Sequence, residues 1–480
     1  MATQLLYRCR PSSLFQFIGS SGGRINGLCA LSTSAVREGN NVATKSKKTL
    51  AKPGSKNIVL IEGVRTPFLM SGTDYKDLMP HDLARGSIQG LLNKTNIPRD
   101  VVDNVIYGTV IQEVKTSNIA REAALGAGLS DRIPCHTVTM ACISSNVAIT
   151  TGMGMINTDQ GDAFIAGGVE FMSDVPIRHS RQMRKFMLAQ NRAKTMGAKM
   201  SLASKYLSMK ALAPELPAVA EFSTSETMGH SGDRLAAAFN VSRTEQDEFS
   251  MRSHSLADKA TKAGYLDDRL TYQVPGTTKV LDRDNGIRVS TMEQMSKLRP
   301  AFIRPHGTVT AANASFLTDG ASACLVMTED KAKAMGLKPK AYLRDFVFVA
   351  QDPKDQLLLG PAYGTPKVLE KAGLSLSDID VFEYHEAFAG QILANMKALD
   401  SNWFGQTHMG RKGKFGAPPM EKLNTWGGSL AIGHPFAATG VRLVTTAANR
   451  LHREGGQYAL IAACAAGGHG HAMIVEKYPE

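Results

Sequence analysis

Cysteine is scarce and unpatterned: 480 residues contain only Cys9, Cys29, Cys135, Cys142, Cys324 and Cys464. None forms a CxxC pair, so neither a disulfide framework nor a zinc site is suggested, and each thiol must be judged singly. No run of 18 apolar residues occurs, which argues against a spanning helix. No secretory apolar region leads the chain. The glycines at 467 to 470 lack the Lys-Ser/Thr of a phosphate loop. His469 and His471 have no third ligand at a recognisable spacing, so no metal is expected. Acid is missing only locally. The formal charge is +12, yet residues 1–50 hold seven Lys or Arg against Glu38, and residues 175–214 hold nine more with no acid. What remains is close to neutral, so DNA binding through a general basic surface is not expected.

What is present is a chain 43% apolar and 20% charged, enough to bury one large core or two packed ones. Arg8, Arg10, Arg24 and Arg37, spread among Ser, Gly and apolar residues, fit a mitochondrial transit peptide and linker over 1–45. The alternative is a disordered tail. After a Lys-rich stretch, Ile58 to Ile61 reads as a buried strand, 82–94 as a helix, 102–110 as a strand and 118–129 as a helix. That alternation argues an α/β fold.

Two stretches follow one plan. Residues 142–156 read as a small-residue helix that leads to the strand at 162–166 and Gly167-Gly168. Residues 434–451 read as another helix, leading to the strand at 458–464 and Gly467-Gly468. An internal duplication of one α/β unit is expected. The N-terminal half is assigned to 55–173 and 306–335, an inserted loop domain to 174–305, and the C-terminal half to 336–480.

Four side chains are candidates for chemistry. Cys142, read as lying in the first turn of a helix behind a Thr139 N-cap, would feel the positive helix end and favour thiolate. A small buried core cysteine is the bland alternative. His434, between Gly433 and Pro435, could serve as a base, and His385 could donate to an oxyanion. A lone histidine is more often a satisfied polar residue. Cys464 stands at a strand end, where active-site loops gather. Cys135 and Cys324 read as packing residues.

Taken together, VRTPF at 64–68, TMACISSN at 139–146, HEAFAG at 385–390, GGSLAIGHPFAATG at 427–440 and CAAGGHGHAM at 464–473 resemble the thiolase family. The resemblance implies a duplicated thiolase fold, two α/β halves in a five-layered αβαβα arrangement. It implies a Cys142 acyl carrier, His434 as its activating base, His434 and His385 lining an oxyanion hole, and Cys464 as acid/base. A second hole would use the backbone N–H groups of Cys142 and Ala466, and Ser315 would contact pantetheine. Coenzyme A is implied as co-substrate of 3-ketoacyl-CoA cleavage, with no bound cofactor. Two positions depart from the usual pattern, Ala437 for Gly and His469 for Gln.

His385, where most thiolases carry Asn, together with 175–188 and 77–85, resembles the branch that serves trifunctional β-oxidation complexes. That implies a thiolase homodimer core, long-chain substrates and an α-subunit carrying hydratase and dehydrogenase activities. It also implies peripheral placement on the matrix face of the inner mitochondrial membrane. Arg178, Lys185, Arg192 and Lys199 recur every seven residues with Arg181 beside them, so one continuous helix would gather them into a stripe. The stripe would face anionic lipid such as cardiolipin, a partner subunit or CoA phosphates, unless it is simply a solvated basic face. A ketoacyl-synthase-type condensing enzyme, which does not need Cys464, and a catalytically idle lipid-binding or scaffold subunit are the rival readings.

Overall fold

The computed structural model describes residues 50–479 except 53, 207, 208, 218 and 219, and carries no side-chain description for 209 and 210. The expected transit peptide, with Cys9 and Cys29, lies outside the described residues.

Among the described residues, nine strands run along the main sheet: β1 (Ile58–Arg65), β2 (Asn104–Gly108), β3 (Cys135–Val138), β4 (Ala163–Glu170), β5 (Thr318–Thr328), β6 (Ala341–Ala350), β7 (Val381–Tyr384), β8 (Tyr458–Ala465) and β9 (His469–Lys477). Their spatial order is β7-β8-β9-β6-β1-β5-β4-β2-β3, with the short strand Leu69–Met70 attached to β5. β2 pairs in parallel with both β3 and β4, while β5 runs antiparallel to β4 and β1. The second half repeats this order. β7 pairs in parallel with β8, β9 is antiparallel to β8 and β6, and a single parallel bridge from Phe382 to Leu423 stands where β3 would be. The halves join where β1 meets β6, through Val59–Tyr342 and Leu60–Ala341. Even a buried detail is duplicated: Tyr107 on β2 shares its hydroxyl with Ser87, and Tyr384 on β7 with Thr365.

Side chains alternate along each strand with period two, and the alternation separates three cores. Val59, Ile61, Ile165 and Leu325 face the helices α1 (Pro80–Thr95) and α2 (Ile119–Gly126). Ile58, Leu60, Phe164 and Val326 from the first half, with Ile461, Met473 and Val475 from the second, close on α3 (Ser144–Asn157) and α11 (Thr439–Glu454). Leu460 and Ile474 face α8 (Gly360–Ala372) and α9 (Ala389–Leu399). The layers are therefore helix, sheet, helix, sheet, helix. Each such Leu or Ile contributes roughly 1.5–3 kcal/mol by leaving water, and α3 and α11 are covered on both sides, by strands of the two halves. Gly440 makes it possible: a Cβ there would come 2.2 Å from Asn146 Oδ1 of α3.

Local signals explain the element ends. Pro80 opens α1 two residues before the expected start, as its fixed φ and missing N–H suit a first helical position. Asn118 caps α2 by accepting from the Arg121 N–H. Two expectations are corrected. The helices do not begin at Cys142 or His434: α3 begins at Ser144 and α11 at Thr439, so both residues lie in the turns that precede them. The basic stripe is not one helix either. Arg178 lies in a two-residue strand, Arg181 and Lys185 on α4 (Arg181–Gln190), Arg192 in a turn, and Lys199 on α5 (Met196–Tyr206). Asn191 caps α4 and Thr195 Oγ1 accepts from the Ala198 N–H to restart α5, so the segment folds as a hairpin.

Between β4 and β5 the chain also builds α6 (Met228–Ala238) and α7 (Arg243–Lys262), the latter opened by a Ser242–Glu245 capping box. This segment is bolted to the first strand through Arg65, which is fully buried. Its Nη1 and Nη2 bond Asp284 at 2.6 and 2.9 Å, and its Nε bonds Asp268 at 3.0 Å. Asp284 also accepts from the Phe68 N–H at 2.8 Å. The arginine of the 64–68 motif is therefore a structural anchor.

Candidate active site

Cys142 sits in a strained turn between β3 and α3. Ala141 has φ +45°, a conformation that costs a non-glycine residue, and Ser144 braces it by donating to the Ala141 carbonyl at 2.7 Å and accepting from the Met140 N–H at 2.9 Å. That bracing displaces the expected Thr139 cap. The result is a half-buried Cys142 whose Sγ lies near two backbone N–H groups, its own and that of Ala466.

Two histidines converge on the sulfur from the second half. A ring nitrogen of each and Cys142 Sγ all lie within 4.8 Å of one another. His385 follows β7, and its backbone N–H bonds the Ala462 carbonyl at 2.8 Å. His434 hangs between the short helix α10 (Ser429–Ile432) and α11, its N–H held by Thr318 Oγ1 at 3.0 Å. Nδ1 of His434 lies 2.7 Å from Thr439 Oγ1, and Nδ1 of His385 lies 3.1 Å from Ser429 Oγ. Both Nε2 atoms are buried and unpaired. Such orphaned atoms cost free energy unless a ligand satisfies them.

Electrostatics correct the expected thiolate. Burial pushes the Cys142 thiol up to about 12, and the bond from Ala466 offsets only part of that. Burial, with Arg442 nearby, brings His434 down to about 3. His385 is lowered well below the usual imidazole range by burial, then by His434 and Arg442. The resting pair is thus thiol and neutral imidazole. Cys464, at the end of β8 and buried, is raised by burial and then by proximity to Cys142. Nitrogen and sulfur of this type can hold a metal, but the two N–H donors at Sγ favour an anion there.

Several residues that shape the site carried no sequence signal. Glu170, fully buried at the end of β4, accepts from the N–H groups of Ile111 at 2.8 Å and Ala437 at 3.2 Å, tying the His434 turn to the first half. Burial raises its carboxyl to about 7. Glu221 accepts from the Gly467 N–H at 2.8 Å, bracing a loop in which Gly467 has φ +83°. Thr439, Ser429 and Arg442 support the histidines and lie in or beside the 427–440 motif, where their spacing alone did not distinguish them from helix residues. Ser315 lies beside the His385 loop, its N–H bonded to the Ala387 carbonyl at 2.9 Å. Ala437 is buried beneath the site, and His469 opens β9. His471 is buried against Phe348, away from any ligand group. Arg178, in the short strand before α4, and Arg181, Lys185 and Arg192 are exposed and Lys199 partly so, and none is among the residues that converge on Cys142.

Residues 58–330 match the family model "Thiolase, N-terminal domain" and residues 337–477 match "Thiolase, C-terminal domain". The chain belongs to the thiolase family. This thiolase is 71% identical over 439 residues to the mouse protein named trifunctional enzyme subunit beta, mitochondrial, covering 92% of each chain. It is 63% identical to a probable 3-ketoacyl-CoA thiolase of Caenorhabditis elegans, over 90% of this chain and 97% of that one. Its fold is similar to the crystal structure of human mitochondrial 3-ketoacyl-CoA thiolase in complex with CoA, with a TM-score of 0.74 and 29% identity over 88% of this chain and 98% of that one.

Proposed function

We propose that this thiolase cleaves long-chain 3-ketoacyl-CoA with CoA, giving acetyl-CoA and a shortened acyl-CoA through an acyl group on Cys142. The observation that carries this reading is the meeting of Cys142 Sγ with two unpaired histidine nitrogens and two backbone N–H donors. Cys142 Sγ attacks the 3-keto carbon as its proton passes to His434 Nε2. Because the resting groups are neutral, this transfer accompanies attack and does not precede it. The C2–C3 bond breaks with its electron pair going to C2, and the resulting thioester enolate is met by the Nε2 hydrogens of His385 and of protonated His434. Donors of this kind are worth roughly 2.7–4 kcal/mol each. The Cys464 thiol gives its proton to C2, releasing acetyl-CoA. Cys464 then takes the thiol proton of incoming CoA, whose sulfur attacks the acyl carbon. The oxyanion is held by the N–H groups of Cys142 and Ala466, and collapse releases Cys142, which regains its proton from His434. Ser315, whose N–H bonds the Ala387 carbonyl beside the His385 loop, would contact pantetheine.

Cys464 beside Cys142 favours this reading over a condensing synthase, and an intact set of aligned groups favours it over an idle scaffold. The likeness to proteins named mitochondrial trifunctional enzyme subunit beta supports a mitochondrial protein with an α-subunit partner; to this we add a homodimeric thiolase core and hydratase and dehydrogenase activities on that partner. β3 ends the sheet with partly exposed residues, an edge suited to a second copy. Among the described residues no helix is long and apolar enough to cross a membrane. The α4–α5 hairpin offers the alternative of peripheral attachment: Ile177, Leu188, Met196 and Met200 are exposed beside Arg178, Arg181, Lys185, Arg192 and Lys199. We assign it to a cardiolipin-rich surface on the matrix face of the inner membrane. The test of function is thiolysis by purified protein, alone and with its partner, of 3-ketoacyl-CoA from about 4 to 16 carbons. Cleavage rising with chain length is expected. Folded complex inactive at every length overturns the reading.

A further inference from the structure

The two histidines are supported differently. Thr439 Oγ1 has the Pro435 carbonyl at 3.0 Å as an acceptor for its hydrogen, and in that arrangement it accepts from His434 Nδ1–H at 2.7 Å. His434 Nε2 is therefore left with a lone pair, as a base requires. Ser429 Oγ is placed the other way. It accepts from Arg442 Nη2 at 2.8 Å, and a guanidinium can only donate. The Ser429 hydrogen is then free for His385 Nδ1, 3.1 Å away, and a neutral imidazole that accepts at Nδ1 carries its proton on Nε2. Arg442 is buried, with Nη1 3.5 Å from Glu383 Oε2, and Glu383 is itself held by Arg450 at 2.7 Å. The stacked rings, 4.0 Å apart between centroids, thus present one acceptor and one donor to the same space.

We propose that Arg442, acting through Ser429, is a positioning residue that fixes His385 as the Nε2–H tautomer, so that this imidazole serves as a hydrogen-bond donor. The inference rests on the thiolytic reading for its kinetic consequence. An amide at 385 would need no such relay, because an NH2 group donates whatever lies behind it. That difference supplies the test.

In the complex with its partner subunit, Ser429→Ala is expected to lower kcat for thiolysis about tenfold to a hundredfold with KM little changed. Ser429→Thr, which keeps the hydroxyl, retains most of the activity. In a His385→Asn background, Ser429→Ala adds less than about twofold. Equal losses in the two backgrounds would mean that Ser429 merely supports packing, and would overturn the proposal, as would no loss in the unaltered background. A readout independent of turnover is the 15N spectrum of histidine-labelled complex. The signal that disappears in His385→Asn belongs in the range of an unprotonated Nδ1, and it shifts in Ser429→Ala. A protonated Nδ1 there overturns the proposal even if thiolysis itself is absent.

Discussion

His385 and His434 stack at 4.0 Å between ring centroids, inclined by 41°, and each keeps Nε2 buried and unpaired. Burial holds both rings below the usual imidazole range, and two imidazolium ions at that separation would repel one another, so at most one ring takes a proton during a cycle.

The first prediction concerns the Cys142 thiol. With the thiol near 12 and His434 near 3, alkylation of Cys142 by iodoacetamide should rise steadily with pH from 6 to 9. A preformed thiolate–imidazolium pair would instead give a rate plateau across that range. Observing the plateau would falsify the neutral resting state.

The same depressed values link stability to pH. A histidine lowered below its ordinary 6.5 binds its proton more readily in the unfolded chain, so the stability it contributes is complete above about 6.5 and is lost as pH falls toward 3. The melting temperature of the substrate-free protein should decline below about pH 6.5, and less steeply in His385→Asn. An unchanged slope in that variant would exclude His385 as a contributor.

Thr439→Val keeps the volume but leaves the Nδ1–H of His434 without an acceptor. Loss of the orienting bond should lower kcat roughly tenfold or more, with a stability cost of about 1–3 kcal/mol. Steady-state thiolysis and urea unfolding measure the two separately, and an effect on KM alone would contradict the assignment.

Cys142→Ser should abolish the acyl adduct seen by mass spectrometry and reduce thiolysis at least about a thousandfold. Cys464→Ala should still form the adduct while turnover falls, because it removes the proton carrier and leaves the nucleophile. An adduct missing from folded Cys464→Ala would reverse these roles.

Arg65→Ala removes one partner from a buried cluster and strands Asp268 and Asp284. The expected destabilisation is about 3–5 kcal/mol, and Arg65→Lys should restore little, since one ammonium cannot reproduce the forked bonds to two carboxylates. Chemical denaturation checks this, and a near-neutral Arg65→Ala would refute the anchor.

Neutralising Arg178, Lys185, Arg192 and Lys199 together should abolish co-sedimentation with cardiolipin vesicles while leaving thiolysis of short substrates in place. Vesicle binding unchanged by the four substitutions would remove the hairpin from membrane attachment.

Much of the site was legible in order but not in geometry. Cys142, His385, His434 and Cys464 all stand in recognisable motifs, and their convergence follows from the duplication that sets the two halves against the shared layer of α3 and α11. The thiolate expectation failed because helix position is local, whereas the thiol responds to burial by residues hundreds of positions away. The basic stripe failed because a seven-residue period specifies a helical face only if the helix is unbroken, and the stretch 191–195 ends it.

The buried strands and the repeated plan of sheet and helix were determined by the sequence itself, because apolar runs and ordered motifs show them, whereas the cap expected at Thr139 was not formed. Glu170 beneath Ala437, Glu221 at Gly467 and the opposed hydroxyls of Thr439 and Ser429 were decided only by tertiary structure. Those contacts join segments whose separation along the chain carries no periodic signal, and the protonation of a buried group depends on all that surrounds it in space.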